Sequence, residues 1–154
     1  MKLLLELLKD SNRSDMEISK VMGVSQPTIS RTRQRLTDEG KIQEFTVIPD
    51  FVKMGFQIMA ISSFKLKIAK DIEGLKKLMM AKPNVTFSSI AEGMGKNGII
   101  ISFHRNYPDF SQFISNLRAE CKDIIHDLDS MLVSLENQIV KPLSLKYLTE
   151  LEET

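Results

Sequence analysis

The 154-residue sequence predicts an α+β protein in two parts, and three observations carry that reading. Between Ser14 and Gly40 the residues spell two short helices that meet at a glycine corner. After Gly40 the apolar period changes from helical spacing to alternation. From Gln57 onward the order of elements reads strand, helix, strand, strand, helix, strand. The boundary is expected near residue 55, so that residues 1–55 form one domain and 56–154 the other.

In the first part, Met1 to Leu8 reads as an amphipathic helix. Ser14 and Glu17 make a capping box, so the next helix should start at Asp15 and bury Ile18, Val21 and Met22. Gly23 takes the left-handed backbone of the corner, which lets Val24 drop into the core while Ser25 caps a further helix. Pro27 lies in the first turn of that helix, where its missing N–H removes nothing, and Gly40 supplies a left-handed end. Ile29 and Leu36 point inward, whereas Thr28, Arg31, Thr32 and Arg35 recur on one outer stripe. Lys41 to Ile48 alternates like a short strand or hairpin wing, giving a winged helix-turn-helix.

The chemistry of the stripe points to double-stranded DNA. Arginine grips guanine edges or phosphates with two hydrogen bonds, hydroxyls and glutamine reach bases or backbone, and a helix N-terminus attracts phosphate. The candidate DNA-binding residues are Ser25, Gln26, Thr28, Arg31, Thr32 and Arg35. A formal net charge of +1 provides no overall attraction to nucleic acid, so binding must come from a local patch that dimerisation would double. The charge is indeed local: Arg31, Arg33, Arg35 and Lys41 face only Asp38 and Glu39 within residues 31–41.

In the second part, Gln57 to Ile68 alternates as a strand does, and Asp71 to Met80 carries leucines and methionines at helical spacing before Pro83. Val85 to Ala91 and Ile99 to His104 read as strands joined by a glycine-rich loop. Tyr107 to Cys121 is a second helix, with Phe110, Phe113, Ile114 and Leu117 on its apolar face, and Met131 to Leu135 a fourth strand. This is the split βαβ order of a ferredoxin-like βαββαβ sandwich. Most of the nine methionines lie in apolar runs and are expected as core or interface filler.

Across about residues 2–145 the chain resembles the leucine-responsive regulatory protein family, Lrp/AsnC. The run SDMEISKVMGVSQPTISRTRQRLTDEGKI carries the resemblance: a capped helix, a Gly-Val-Ser corner, a recognition helix, then Leu36, Gly40 and Ile42 leading into the wing. The resemblance implies a transcription regulator whose second domain (RAM/ACT-like) senses a small effector such as an amino acid. It also implies that β-strands pair two subunits into a homodimer that binds a pseudo-palindromic operator, and that dimers join up to octamers. Three departures stand out. Position 33, usually apolar, is Arg33, so its stem must run along the core edge or the helix must rotate. The loop Gly93-Met94-Gly95-Lys96-Asn97-Gly98 lacks the family's acid. Residues 136–154 extend past a minimal sandwich, with IVKPLSLKYL expected as an edge strand or hairpin.

Gly93, Met94, Gly95, Asn97 and Gly98 are the candidate effector-binding residues, since exposed N–H groups of such a loop can hold an anion. The same run matches a dinucleotide fingerprint, but the strand IIISFH follows it where that fingerprint needs a helix. His104, His126 and Cys121 lack metal-ligand spacing, and no nucleophile elbow, Walker loop or paired carboxylates are visible, so no metal, cofactor or catalytic residue is expected. The alternative is an enzyme of the tetrapyrrole (siroheme) decarboxylase kind on the same scaffold, with a vestigial helix-turn-helix, hinted at only by His104-Arg105-Asn106-Tyr107. A single cysteine suits a reducing compartment and the first apolar run is too short to span a bilayer, so no membrane partner and a cytoplasmic location are expected.

Overall fold

The computed structural model describes residues 2–67 and 72–151, which fall into two compact units: residues 1–48 with 141–154, and residues 49–140. The expected helix start at Asp71 lies outside the described residues.

The first unit is helical. Helix α1 (Lys2–Lys9), α2 (Asp15–Met22) and α3 (Gln26–Asp38) bury Leu3, Leu7, Ile18, Ile29, Leu36 and Ile42 against one another. The capping box forms as expected, with the Glu17 N–H donating to Ser14 Oγ and the Ser14 N–H to Glu17 Oε2 at 2.8 Å. Gly23 (φ 66°) turns the corner, its N–H donating to the Ser19 carbonyl. Two side chains differ from expectation. Val21 is exposed because this short helix turns Ser19 and Ile18 inward, and Val24 is exposed too.

Two segments of this unit depart from expectation more strongly. Residues 41–48 form no strand: after Ile42 the chain has no regular secondary structure, and Phe45 and Val47 are exposed. Alternation made the segment a competent strand, but a strand requires a neighbour, and the described residues offer none. The C-terminal segment expected as an edge strand beside the sandwich is instead a 3₁₀ helix over Leu145–Leu151 that packs on α1, so it belongs to the first unit. Pro142 cannot donate to a ladder, and buried Thr149 seats the helix, its hydroxyl donating to the Lys146 carbonyl at 2.7 Å.

The second unit has strands β1 (Ile58–Leu66), β2 (Val85–Gly93), β3 (Lys96–His104) and β4 (Ile125–Ser134) and helices α4 (Ile72–Met80) and α5 (Tyr107–Glu120). The strands form one antiparallel sheet of order β2-β3-β1-β4. Ala60, Phe64, Leu66 and Ile100 from the sheet meet Leu75, Met79, Phe110, Phe113, Ile114 and Leu117 from the helices in one core. The unit begins at Pro49 rather than near 55, since Phe51 stacks on Phe103 with centroids 4.3 Å apart. Strand β4 starts six residues earlier than the expected Met131, its alternation masked by Asp127 (φ 50°) at the irregularity where the β1 register shifts.

Candidate nucleic-acid interface

Helix α3 presents two faces of opposite character. Ile29 and Leu36 are buried on one, while Ser25, Gln26, Thr28, Arg31 and Arg35 are exposed and Thr32 half-buried on the other. The helical repeat that brings residues 29 and 36 together separates them from 28, 31 and 35, so the stripe read from the sequence is contiguous in space.

Its members differ in freedom. Arg31 has no hydrogen bond or ion pair among the described residues, so its fork is available to an incoming acceptor. Arg35 Nε lies 3.8 Å from Glu39 Oε1, and Lys41 Nζ lies 2.6 Å from Glu39 Oε2. The hydrogen bond from Lys41 holds the Glu39 carboxyl below its ordinary pKa, helped by the charges of Lys41 and Arg35. Thr32 Oγ1 donates to the Thr28 carbonyl at 2.7 Å, which leaves its oxygen free only to accept.

Ser25 sits at the N-cap with extended backbone, but makes no side-chain bond to the helix N–H groups. Its hydroxyl pairs with that of Thr28 at 2.8 Å, and its carbonyl accepts from both Thr28 N and Ile29 N. The pair of hydroxyls is therefore a polar surface at the head of α3 rather than a cap.

Sequence reasoning missed the partner of Arg33. Its Nε and Nη2 reach Asp15 Oδ1 at 3.0 and 2.6 Å, and its guanidinium stands 5.8 Å from the centre of the Phe45 ring. The available signal was the conflict itself: an arginine on the inward side of a helix must find an acid, and the first residue of α2 is one.

The loop candidates separate into two groups. Met94 (φ 54°) and Gly95 (φ 70°) form the two-residue turn between paired Gly93 and Lys96, and Met94 is fully exposed. Asn97 is committed elsewhere, its Oδ1 accepting the Leu66 N–H at 2.7 Å, and Gly98 is buried against the Phe64 ring. Beside the turn, Lys96 Nζ contacts Asp129 Oδ2 at 2.7 Å and the Asp127 carbonyl, so strand β4 places acids next to a loop whose own sequence has none.

Of the other chemistry-bearing residues, His104 and Cys121 lie in the core and His126 is exposed. His104 is wholly buried, with Nε2 2.9 Å from Ser102 Oγ, and both side chains are closed to solvent. Cys121 is buried, and burial pushes its thiol pKa up to about 11. Among the described residues no three His, Cys, Asp or Glu side chains are grouped to hold a metal, and no helix is long and apolar enough to cross a membrane.

No family model matches the sequence. An uncharacterized HTH-type transcriptional regulator of Pyrococcus horikoshii is 32% identical over 117 residues, covering 75% of this chain and 77% of the relative. The regulatory protein AsnC of Haemophilus influenzae is 27% identical over 149 residues, 91% of each. Among solved structures, a transcriptional regulator of Neisseria meningitidis in complex with L-Met superposes with a TM-score of 0.77 at 20% identity, over 96% of this chain and 95% of that one. These relatives are named as regulators, not as enzymes, which removes the decarboxylase alternative. The chain belongs to the Lrp/AsnC family of HTH-type transcriptional regulators.

Proposed function

We propose that α2 and α3 act as a helix-turn-helix, with α3 the recognition helix entering the major groove, and that Ser25, Gln26, Thr28, Arg31, Thr32 and Arg35 make the contacts. One observation carries this reading: Arg31, unpaired among the described residues, stands on an exposed hydroxyl and arginine stripe whose reverse side is the core of the unit. The binding species is a homodimer on a pseudo-palindromic operator, since one recognition helix offers too few contacts alone.

The second unit, a ferredoxin-like sandwich, serves assembly and effector sensing. Its helices cover one face of the sheet and leave the other apolar: Phe87, Ile101, Ile61 and Met131 are successive cross-strand partners along a row spanning all four strands. Phe87 and Met131 are exposed, and a second copy of the same face is the self-complementary cover. Segment 41–48 has the alternation of a strand and no strand partner among the described residues, which supports pairing with the same segment of a second copy. The loop tip Gly93, Met94 and Gly95 is the proposed effector contact, with Asn97 and Gly98 holding its base. The L-Met bound to the Neisseria meningitidis regulator makes amino acids the first ligands to test.

The test is a salt titration of binding to the DNA upstream of the protein's own gene, against random competitor, for wild type and Arg31→Ala/Arg35→Ala. Specific binding that weakens steeply with salt and is lost in the double variant is the expected result. Equal, weak binding of upstream and random DNA by wild type argues against that operator. Failure to select any sequence from a random pool refutes the DNA reading.

A further inference from the structure

The core between α2 and α3 is made of Ile18, Ile29 and Leu36, and apolar contacts of that kind hold helices together without fixing the angle between them closely. A charged hydrogen-bonded pair is directional. Arg33 supplies one: both its Nε and its Nη2 converge on Asp15 Oδ1, with only 23% and 22% of the two side chains exposed. The anchor is itself fixed. Asp15 is the first residue of α2, immediately after Ser14, whose capping box with Glu17 sets the backbone there. A carboxylate at this place also lies favourably in the field of the helix N-terminus, so the position suits an acid before Arg33 arrives.

The same guanidinium faces the ring of Phe45, in the segment that follows α3. Arg33 thus touches three elements: the head of α2, the middle of α3 and residue 45. Its position four residues after Ile29 and three before Leu36 keeps it on the inward side, away from Arg31 and Arg35.

We propose that Arg33 is a positioning residue: by clamping α3 to Asp15 and packing on Phe45 it fixes the orientation in which the recognition helix meets base edges, without contacting DNA itself. This rests on the DNA reading above. The consequence is a split between specific and random binding. Base-edge hydrogen bonds depend on helix orientation, whereas phosphate attraction tolerates a helix that rocks.

The experiment first selects an operator for the full chain from random-sequence DNA. It then compares wild type, Arg33→Leu, Asp15→Asn and the double variant on that operator, on versions with altered half-site spacing, and on random DNA. Leucine suits the inward position, Asp15→Asn leaves Arg33 in place, and thermal melting confirms that each variant is folded. Each single variant is expected to lose about tenfold in operator affinity, and the double variant no more than the worse single, because both remove one coupled pair. Random-DNA affinity and salt slope stay at wild-type values, and the preference among spacings broadens.

Two results overturn the proposal. If Arg33→Leu lowers the salt slope by about one and weakens random binding while Asp15→Asn does neither, Arg33 is a phosphate contact. If both variants keep the wild-type ratio of operator to random binding and the wild-type spacing preference, the pair is structural only. A wild type that selects no sequence at all fails the DNA reading instead, and this inference falls with it.

Discussion

Gly98 and Phe64 are cross-strand partners, and the aromatic ring occupies the space that a side chain at residue 98 would need. A β-carbon there would collide with the ring edge, and even the third-nearest atom, Cε1, would stand at 2.7 Å. Phe64 is itself completely buried at the centre of the sheet unit, so it has nowhere to withdraw. Replacing a strand glycine by alanine ordinarily adds about 0.5–1 kcal/mol through backbone entropy. Here overpacking of about 1–3 kcal/mol outweighs that gain. Gly98→Ala is therefore expected to lower stability, measured as a smaller denaturant midpoint at unchanged slope. An increased midpoint would show that Phe64 can move.

Removal of the capping box should be felt beyond its own helix. Ser14→Ala takes away the acceptor for the Glu17 N–H and one partner of the Glu17 carboxylate, an effect of about 1 kcal/mol in ordinary contexts. Asp15 follows directly, so loosening this turn also loosens the anchor of Arg33. The cost of Ser14→Ala should accordingly be smaller in an Arg33→Leu background, a non-additivity that a double-mutant cycle in urea measures. Additive costs would mean that the two features are independent.

His104 is expected to make the sheet unit sensitive to acid. Burial holds its pKa below the ordinary 6.5, opposed by the charge of Asp109, whose Oδ2 lies 3.9 Å from Nδ1. Among the described residues Nδ1 has no hydrogen-bond partner, and the ring is packed against Phe110 and Phe113. A folded pKa below the unfolded one means that the unfolded chain binds the proton first. This contribution is therefore complete above the unfolded value and declines as pH falls below about 6.5, by at most about 1.4 kcal/mol per pH unit. His104→Gln should abolish that part of the slope between pH 7 and 5. Parallel stability curves for wild type and variant would remove His104 as the cause.

The sheet unit was legible because alternation from Gln57 and the apolar run from Ile99 to His104 report strands with a buried face, and helical spacing in Phe110, Phe113, Ile114 and Leu117 reports a helix packed on it. The glycine corner at Gly23 was legible because few residue types adopt its backbone. What stayed hidden depended on partners distant in sequence. The pairing of Arg33 with Asp15 spans two helices, and Asn97 serves the Leu66 backbone rather than a loop ligand. The 3₁₀ helix near the C-terminus owes its place to α1, at the other end of the chain, and no local pattern encodes that.

Glu39 offers the sharpest test of how the proposed interface works, because the expected change is a gain. Its carboxylate sits at the end of α3 between Arg35 and Lys41, and it engages both cations of this part of the stripe. A phosphate approaching the helix must compete with that carboxylate for the same donors. Exposed ion pairs contribute little to stability, so Glu39→Gln should leave the melting transition nearly unchanged. It should strengthen binding to selected and random DNA alike, and steepen the dependence of log K on log salt by up to about two counterions as Arg35 and Lys41 become available. Arg31→Ala, by contrast, removes a side chain with no hydrogen bond or ion pair among the described residues. It should cost about 1–3 kcal/mol on the selected operator if it reads a base, with little effect on the slope. Measured together by fluorescence anisotropy across a salt series, the two variants separate phosphate attraction from base reading. A Glu39→Gln protein whose affinity and slope match wild type would place the phosphate path away from this end of the helix.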